Sequence, residues 1–345
     1  MHLHINEIKK IKLNFIICME RTGSSMLTAM LNKNEQVLST SEEPFLLYLY
    51  KKYNNKYNYN KHEIDILVEE FWLTSEKNLS LFYETKENLK QCLYSYLPEI
   101  NFNDLCKILY LNFIPLKDKN KIDVIIDKQI KFIHYIPLII KIFPESKILI
   151  LTRNHKDVIT SWKKRKLGQT QNAAYLAKVY NLNYINITNL KNIVSENLQI
   201  LKYEDLVSNP ANELKKVCNF FGINYFENMI EHHTQFNAYI DKMADKIEQD
   251  FLDHLKTFQS NTMKPVSTDL INEWKKVLNN KEVEVSDKIN YDLDLFFHYN
   301  NQKSKYFYTF FDRLNIARAW FEKKIYHSIY IQSPLWAKLI IKKNK

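Results

Sequence analysis

Short apolar runs that stop abruptly at polar residues, separated by stretches of helical character, constrain this chain more than anything else in it. Lys12–Met19 is such a run, and it ends in Glu20-Arg21. Val37–Thr40 is a shorter one, Asp123–Ile126 leads into Asp127-Lys128, Lys147–Thr152 is followed at once by Arg153, and Gln199–Lys202 precedes Tyr203. Runs of this length and composition predict buried strands. Between them, Met26–Asn32, Lys131–Phe143 (stopped by Pro144) and His155–Lys166 read as helices. So does Pro210–Phe221, with proline at its start and Gly222 at its end, where each is favoured. The stretch from Tyr48 to Phe113 is mostly helical and aromatic. Strands alternating with helices predict an α/β fold with a central parallel β-sheet flanked by helices.

A chain of 345 residues with 46% hydrophobic and 26% charged content can bury a full core. Only 3 glycines occur, so flexible linkers are not expected and each glycine should sit where the backbone needs it. One domain is predicted over residues 1–300, with a helical insertion at about 48–120 on the acceptor side. A basic, aromatic, helical tail is predicted over residues 301–345. The wealth of Lys, Asn, Ile and Tyr reads as coding bias in an AT-rich genome. Cys18, Cys92, Cys106 and Cys218 are far apart and no histidine cluster accompanies them, which argues against a zinc site and a disulfide framework and suits a reducing compartment. Leu13–Met19 is too short for a signal peptide, and Ile133–Leu151 is broken by Pro137, Lys141, Pro144, Glu145 and Lys147, so no membrane span is expected. The predicted location is cytoplasmic.

The net charge is +10, but Lys303–Lys345 holds ten Lys/Arg against Asp312 and Glu322, which is +8, leaving about +2 for the other residues. The body is therefore not expected to bind nucleic acid. Within the tail, Leu314, Ala317, Phe321, Ile325 and Ile329 fall on one helical face, with Arg313, Arg318, Lys323 and Lys324 elsewhere and Trp320 and Trp336 adding amphipathic rings. Such a helix either lies on anionic lipid, a peripheral contact at the inner membrane face, or docks its stripe on the body and turns its basic side to water.

Two segments carry chemistry. Arg21-Thr22-Gly23-Ser24-Ser25 lies between a strand and a helix, where successive N–H groups, hydroxyls and a cation can cradle phosphate or sulfate. An ordinary Ser/Thr-capped turn has the same local look. A Walker A loop fits poorly, because no second glycine and no Gly-Lys-[Ser/Thr] follows. The second segment, Arg153 to Ser161, starts at the carboxyl end of a strand, the edge where open α/β sheets bind ligands. Ser161 and Arg165 follow at about two and three helical turns on one side, suited to a second phosphate; a solvated basic helix end is the alternative.

Taken together these segments resemble the family of sulfotransferases that use 3′-phosphoadenosine-5′-phosphosulfate (PAPS). The resemblance continues through Leu201-Lys202-Tyr203-Glu204-Asp205-Leu206, Pro210 and Phe220-Phe221-Gly222 to Thr262-Met263-Lys264-Pro265-Val266 and Trp274, in order, and the spacings are most similar to tyrosylprotein sulfotransferases. It implies a P-loop-like sulfotransferase fold and transfer of a sulfuryl group from PAPS to a hydroxyl of a protein tyrosine, a glycan or a lipid-linked acceptor, with the nucleotide PAP as product and no metal. It implies that Arg21 contacts the sulfuryl group and that Thr22, Gly23, Ser24 and Ser25 hold the 5′-phosphate. Arg153, Ser161 and Arg165 are implied at the 3′-phosphate, Tyr203 at the adenine, Lys128 at the leaving phosphate, and Ser260 and Lys264 in a segment that closes over the nucleotide. Two departures stand out: Glu273 where a lysine is usual before the tryptophan, and Ser24-Ser25 in place of Thr-Thr. A carboxylate should accept the acceptor's proton, and Glu42 and Glu43 both lie where the resemblance expects it. The rival readings are a P-loop kinase using ATP and magnesium, and a non-catalytic protein that binds membrane or nucleic acid through the tail.

Overall fold

The computed structural model describes residues 3–41, 45–54, 58–74, 85–112, 118–130, 132–166, 170–188, 196–234, 237, 253, 256–257, 260–299 and 303–326. Strand β1 (Lys12–Cys18) is buried at every position after Lys12, as a strand covered on both faces must be. It pairs in parallel with β3 (Val124–Gln129) on one edge and β4 (Ile148–Thr152) on the other. Beyond β3 lies β2 (Val37–Ser41), and beyond β4 lies β5 (Leu198–Lys202), giving a five-stranded parallel sheet in the order β2-β3-β1-β4-β5. Side chains alternate across it. Phe15, Ile17, Ile125 and Ile150 enter one core, while Ile16, Cys18, Ile126 and Leu151 enter the other.

Each run named from the sequence is a strand, with one informative difference. β3 continues through Asp127 and Lys128 rather than ending before them. A charged strand position is tolerable when it is paired: Asp127, fully buried, accepts hydrogen bonds from Tyr110 Oη at 2.6 Å, Thr40 Oγ1 at 3.0 Å and Gln129 Nε2 at 3.1 Å.

The helices follow in chain order: α1 (Ile5–Lys10), α2 (Ser24–Asn32), α3 (Phe45–Tyr53), α4 (Lys61–Thr74), α5 (Lys86–Tyr94) and α6 (Phe102–Leu111). The helix expected over 131–143 is instead a 3₁₀ turn at Phe132–His134 and a separate α7 (Ile136–Ile142) with Pro137 in its first turn. Pro137 has no N–H to donate, so one helix could not run through it without losing a bond. After β4 come α8 (His155–Lys164) and α9 (Ala173–Thr188); after β5 come α10 (Tyr203–Ser208) and α11 (Pro210–Phe221), the last bounded as expected, with Gly222 left-handed at its end. A short α12 (Trp274–Val277), then α13 (Asn280–Phe296) and α14 (Phe310–Tyr326) complete the described chain. No described helix is long and apolar enough to cross a membrane. None of the four cysteines is joined in a disulfide, and all four are buried.

Helices α13 and α14 both pack against α9. The docking face of α14 carries Asp312 and Ala319, both buried, and the half-buried Ile316. Leu314, Phe321 and Ile325 of the predicted stripe are 50%, 59% and 41% exposed, and Ala317 is exposed with them. The helix therefore does dock on the body, but through the side of Asp312, Ile316 and Ala319 rather than through the described residues of the stripe. Ile329 and Trp336 lie outside the described residues.

Candidate functional site

The neighbouring strands β3, β1, β4 and β5 end at one edge of the sheet, and each is followed there by residues singled out from the sequence. Lys128 lies near the end of β3, the Arg21 loop follows β1, Arg153 follows β4 and Tyr203 follows β5. β1 is flanked on opposite sides by strands reached through crossovers of opposite sense, which is the switch point where a crevice opens.

The loop after β1 turns sharply. Arg21 has φ 65° and Gly23 φ 84°, so two residues close together adopt the left-handed region. Gly23 needs to be glycine on a second count, because a Cβ there would come within 2.5 Å of Tyr203 Cδ2. Thr22, fully buried, closes the turn by donating from Oγ1 to the Met19 carbonyl at 2.8 Å. α2 then starts at Ser24 with Gly23 as its cap and no side-chain hydrogen bond at that cap. The capped-turn alternative would have needed one, so the first N–H groups of α2 remain available to an anion.

The second anchor meets the first directly. Arg21 Nε donates to Ser161 Oγ at 3.0 Å, and Arg153 Nη1 donates to the Arg21 carbonyl at 3.1 Å. The Arg153 guanidinium, 5% exposed, also stacks on the Tyr203 ring with its Cζ 4.4 Å from the ring centre. Tyr203 is thus held between loop and arginine, itself 5% exposed. Burial pulls the Arg21 pKa down to about 10, helped by the positive charges of Arg165 and Arg153. Arg153 Nε is buried without a hydrogen-bond partner. Clustered guanidiniums that destabilise one another's charge are the electrostatic signature of an anion site.

Both outer arginines also hold the later segment. Arg165 Nη1 donates to the Thr257 carbonyl at 3.0 Å and Arg153 Nη2 to that of Leu270 at 2.7 Å. Ser260 and Lys264 lie in the stretch between; Lys264 is exposed, and its backbone N–H closes a turn onto Asn261 at 3.4 Å. Lys128 is 1% exposed, on the strand next to the loop. Glu42 and Glu43 lie outside the described residues.

Several supporting residues were not assigned from the sequence. Asp157, 1% exposed, accepts the backbone N–H groups of Asn272 at 2.9 Å and Trp274 at 3.0 Å, so α8 pins the turn that carries Leu270. Burial raises its pKa, against those hydrogen bonds. Glu204 accepts from Asn154 N at 2.9 Å and Tyr299 Oη at 3.0 Å, joining the ends of β4 and β5. From α9, Tyr184 Oη donates to the Leu151 carbonyl at 2.9 Å and accepts from Met19 N at 3.1 Å, and Tyr180 Oη donates to the Arg153 carbonyl at 2.9 Å. Glu273, a departure from the family pattern, is matched by Lys164 at 2.5 Å. His155 sits fully buried between Asp294 (3.0 Å) and Asp287 (3.3 Å), with Lys156 Nζ 2.9 Å from Asp287. Those three could group around a metal ion, but Lys156 already supplies Asp287 with a cation. Burial alone would lower the His155 pKa; the two carboxylates outweigh it and raise it.

A parallel sheet with clustered guanidiniums and a helix N-terminus at its switch point is an arrangement suited to phosphate or sulfate groups. The sulfotransferase family model matches residues 14–228, more than half of the chain, and the chain belongs to that family. The fold is similar to that of the sulfotransferase domain of the Synechococcus PCC 7002 olefin synthase, at 18% identity and TM-score 0.50 over 82% of this chain and 96% of that one. The sulfotransferase domain from the curacin biosynthetic pathway is alike at 18% identity and TM-score 0.50, over 83% and 98%. A Caenorhabditis briggsae protein provisionally described as a protein-tyrosine sulfotransferase is 24% identical over 111 residues, which span 31% of this chain and 40% of that protein.

Proposed function

We propose that this chain transfers the sulfuryl group of PAPS to a hydroxyl of a tyrosine, a glycan or a lipid-linked molecule, releasing PAP. The observation that carries the reading is the convergence of Arg21, Arg153 and Arg165 with Ser161 across the ends of β1 and β4, with the Arg21 pKa lowered by burial and by the charges of Arg165 and Arg153. PAPS supplies the sulfuryl group: the acceptor oxygen forms the new bond to sulfur as the bond from sulfur to the bridging phosphate oxygen breaks.

The chain's part is positional and electrostatic. Thr22 shapes the turn, and the N–H groups from Gly23 to Ser25 with the two serine hydroxyls receive the 5′-phosphate. Arg21 and Lys128 neutralise charge as it builds on the departing oxygens. Arg153, Ser161 and Arg165 bind the 3′-phosphate, and Tyr203 offers its remaining edge to the adenine. Ser260 and Lys264 belong to the segment that the two outer arginines draw over the nucleotide. Glu42 or Glu43 takes the acceptor's proton. We assign the catalytic domain to residues 1–300, with the helices between 45 and 112 shaping the acceptor side. The reading carries with it a cytoplasmic location and a chemistry that needs no metal.

The test is kinetic. With labelled PAPS and a panel of tyrosine peptides, glycans and lipid-linked alcohols, Arg21→Ala and Lys128→Ala should lower kcat far more than they weaken PAP binding, because their partners gain charge only in the transition state. Arg153→Ala should mainly weaken PAP. Full turnover in Arg21→Ala would remove the loop from the reaction.

A further inference from the structure

Helix α14 buries one side and leaves an organised surface on the other. Phe310, Leu314, Phe321 and Ile325 are 71%, 50%, 59% and 41% exposed. At about 100° per residue they fall within one narrow stripe that also includes Ala317. The same helical arithmetic sets Arg313, Trp320 and Lys324 along one border of the stripe, and Arg318 and Phe311 along the other. Arg313, Arg318 and Lys324 are exposed, and the Lys324 ammonium lies 4.1 Å from the Trp320 ring centre. Phe307, 88% exposed, lies just before the helix, after the exposed Lys303 and Lys305.

The acids of this element do not face outward. Asp312 is buried and accepts from Tyr306 Oη at 2.7 Å and from Thr309. Glu322 accepts from Tyr175 Oη at 2.5 Å and pairs with Arg318 at 2.7 Å. What faces out is therefore apolar at the centre and cationic along the border of Arg313 and Lys324, while Arg318 on the other border is matched by Glu322 and Asp312 is turned inward. A protein surface recognised by charge would need acidic groups set against that border; a bilayer offers apolar depth at the centre and lipid phosphates beside it together.

The position of this surface matters as much as its chemistry. Inward from the stripe, Lys323 donates to Asn183 Oδ1 of α9 at 2.6 Å. Its ammonium, pulled down to about 8 by burial, feels the opposing charge of Glu20, the residue immediately before Arg21. The last turns of α14 thus pack on α9, whose Tyr184 accepts the Met19 N–H at the start of the loop proposed to hold the donor.

We propose that the outward stripe of α14 docks on the surface of an anionic lipid bilayer, with its phenylalanines and leucine in the interface and Arg313 and Lys324 on lipid phosphates. This gives the predicted peripheral contact a defined face and sets the donor-site edge beside membrane-borne hydroxyls; the second part rests on the proposed sulfuryl transfer, whereas the docking does not.

The full chain is sedimented with vesicles of phosphatidylcholine alone and of phosphatidylcholine with phosphatidylserine, and PAP binding is measured on the same samples. Binding to the anionic vesicles only, weakened by salt, is expected. Arg313→Gln with Lys324→Gln should cut it on the order of thirtyfold, at about fivefold per charge, and Leu314→Gln with Phe321→Gln should cut it by at least about tenfold, with PAP binding intact in both. Equal partitioning of the wild type and the Gln variants overturns the proposal. So does an absence of vesicle binding, whether the wild type then self-associates and Leu314→Gln with Phe321→Gln makes it monomeric, or that pair instead lowers stability because the chain's own C-terminal segment covers the stripe. Loss of PAP binding by the wild type would count against the sulfotransferase reading and leave the vesicle result standing.

Discussion

Gly23 is the tightest point of the site, and replacing it with alanine should separate two costs. Its φ of 84° puts an L-residue in the left-handed region, which costs roughly 1–2 kcal/mol. Its Cβ would meet Tyr203 Cδ2 at 2.5 Å and Cε2 at 2.9 Å, and the ring cannot retreat freely because the Arg153 guanidinium is stacked on it. Overpacking of this kind costs about 1–3 kcal/mol, so Gly23→Ala should lose about 2–5 kcal/mol in all. In a Tyr203→Ala background the ring is gone and only the backbone cost remains. Urea unfolding of the wild type, both single variants and the double variant gives the coupling, expected at about 1–3 kcal/mol in favour of the double variant. If Gly23→Ala costs the same in both backgrounds, the loop and Tyr203 are not packed as described.

Two predictions concern pH. Burial lifts the Asp127 pKa from 3.8 to about 6. The folded chain then keeps a proton that the unfolded chain releases in that window, and stability should fall by about 3 kcal/mol as pH rises through it. Asp127→Asn should flatten the fall in unfolding free energy; an unchanged slope would refute the assignment. His155 has the opposite origin and the same direction: its raised pKa means its ion pairs with Asp294 and Asp287 stabilise the fold fully below about pH 6.5 and are lost as pH rises through the folded value. His155→Gln should therefore cost more at acid than at alkaline pH, measured by thermal unfolding; a cost independent of pH would mean the imidazole is neutral throughout.

What was legible in the sequence divides along physical lines. Apolar runs ending in polar residues reveal strands because burial on both faces of a parallel sheet demands them, and Pro210 and Gly222 mark a helix because only certain residues suit its ends. The same logic could have found α13, whose first turn has Asn279 and Glu282 in a capping box. α9 was hidden for a different reason. In sequence its tyrosines read as compositional bias, yet Tyr180 and Tyr184 supply the hydroxyls that satisfy the main chain at the ends of β1 and β4. A hydroxyl's partner on another element leaves no local pattern. Asp157 and Glu204 stood within recognised segments, but their partners lie 115 and 50 positions away in the chain. The strand order and the outward turn of the α14 stripe are likewise tertiary facts: amphipathic spacing shows that a helix has two sides, not which side its neighbour takes.

The central claim is that the cradle between β1 and β4 holds a nucleotide phosphorylated at both the 5′ and 3′ positions. Thermal unfolding with PAP, with AMP (which lacks the 3′-phosphate) and with ADP plus magnesium tests it most directly. A ligand at about 100 times its Kd adds roughly 2.7 kcal/mol. PAP should raise the midpoint by several degrees in the wild type, with little effect from AMP and none from ADP plus magnesium, and Arg153→Ala should erase most of the gain. A shift with ADP plus magnesium and none with PAP would contradict the account and make the chain a nucleotide kinase-like binder.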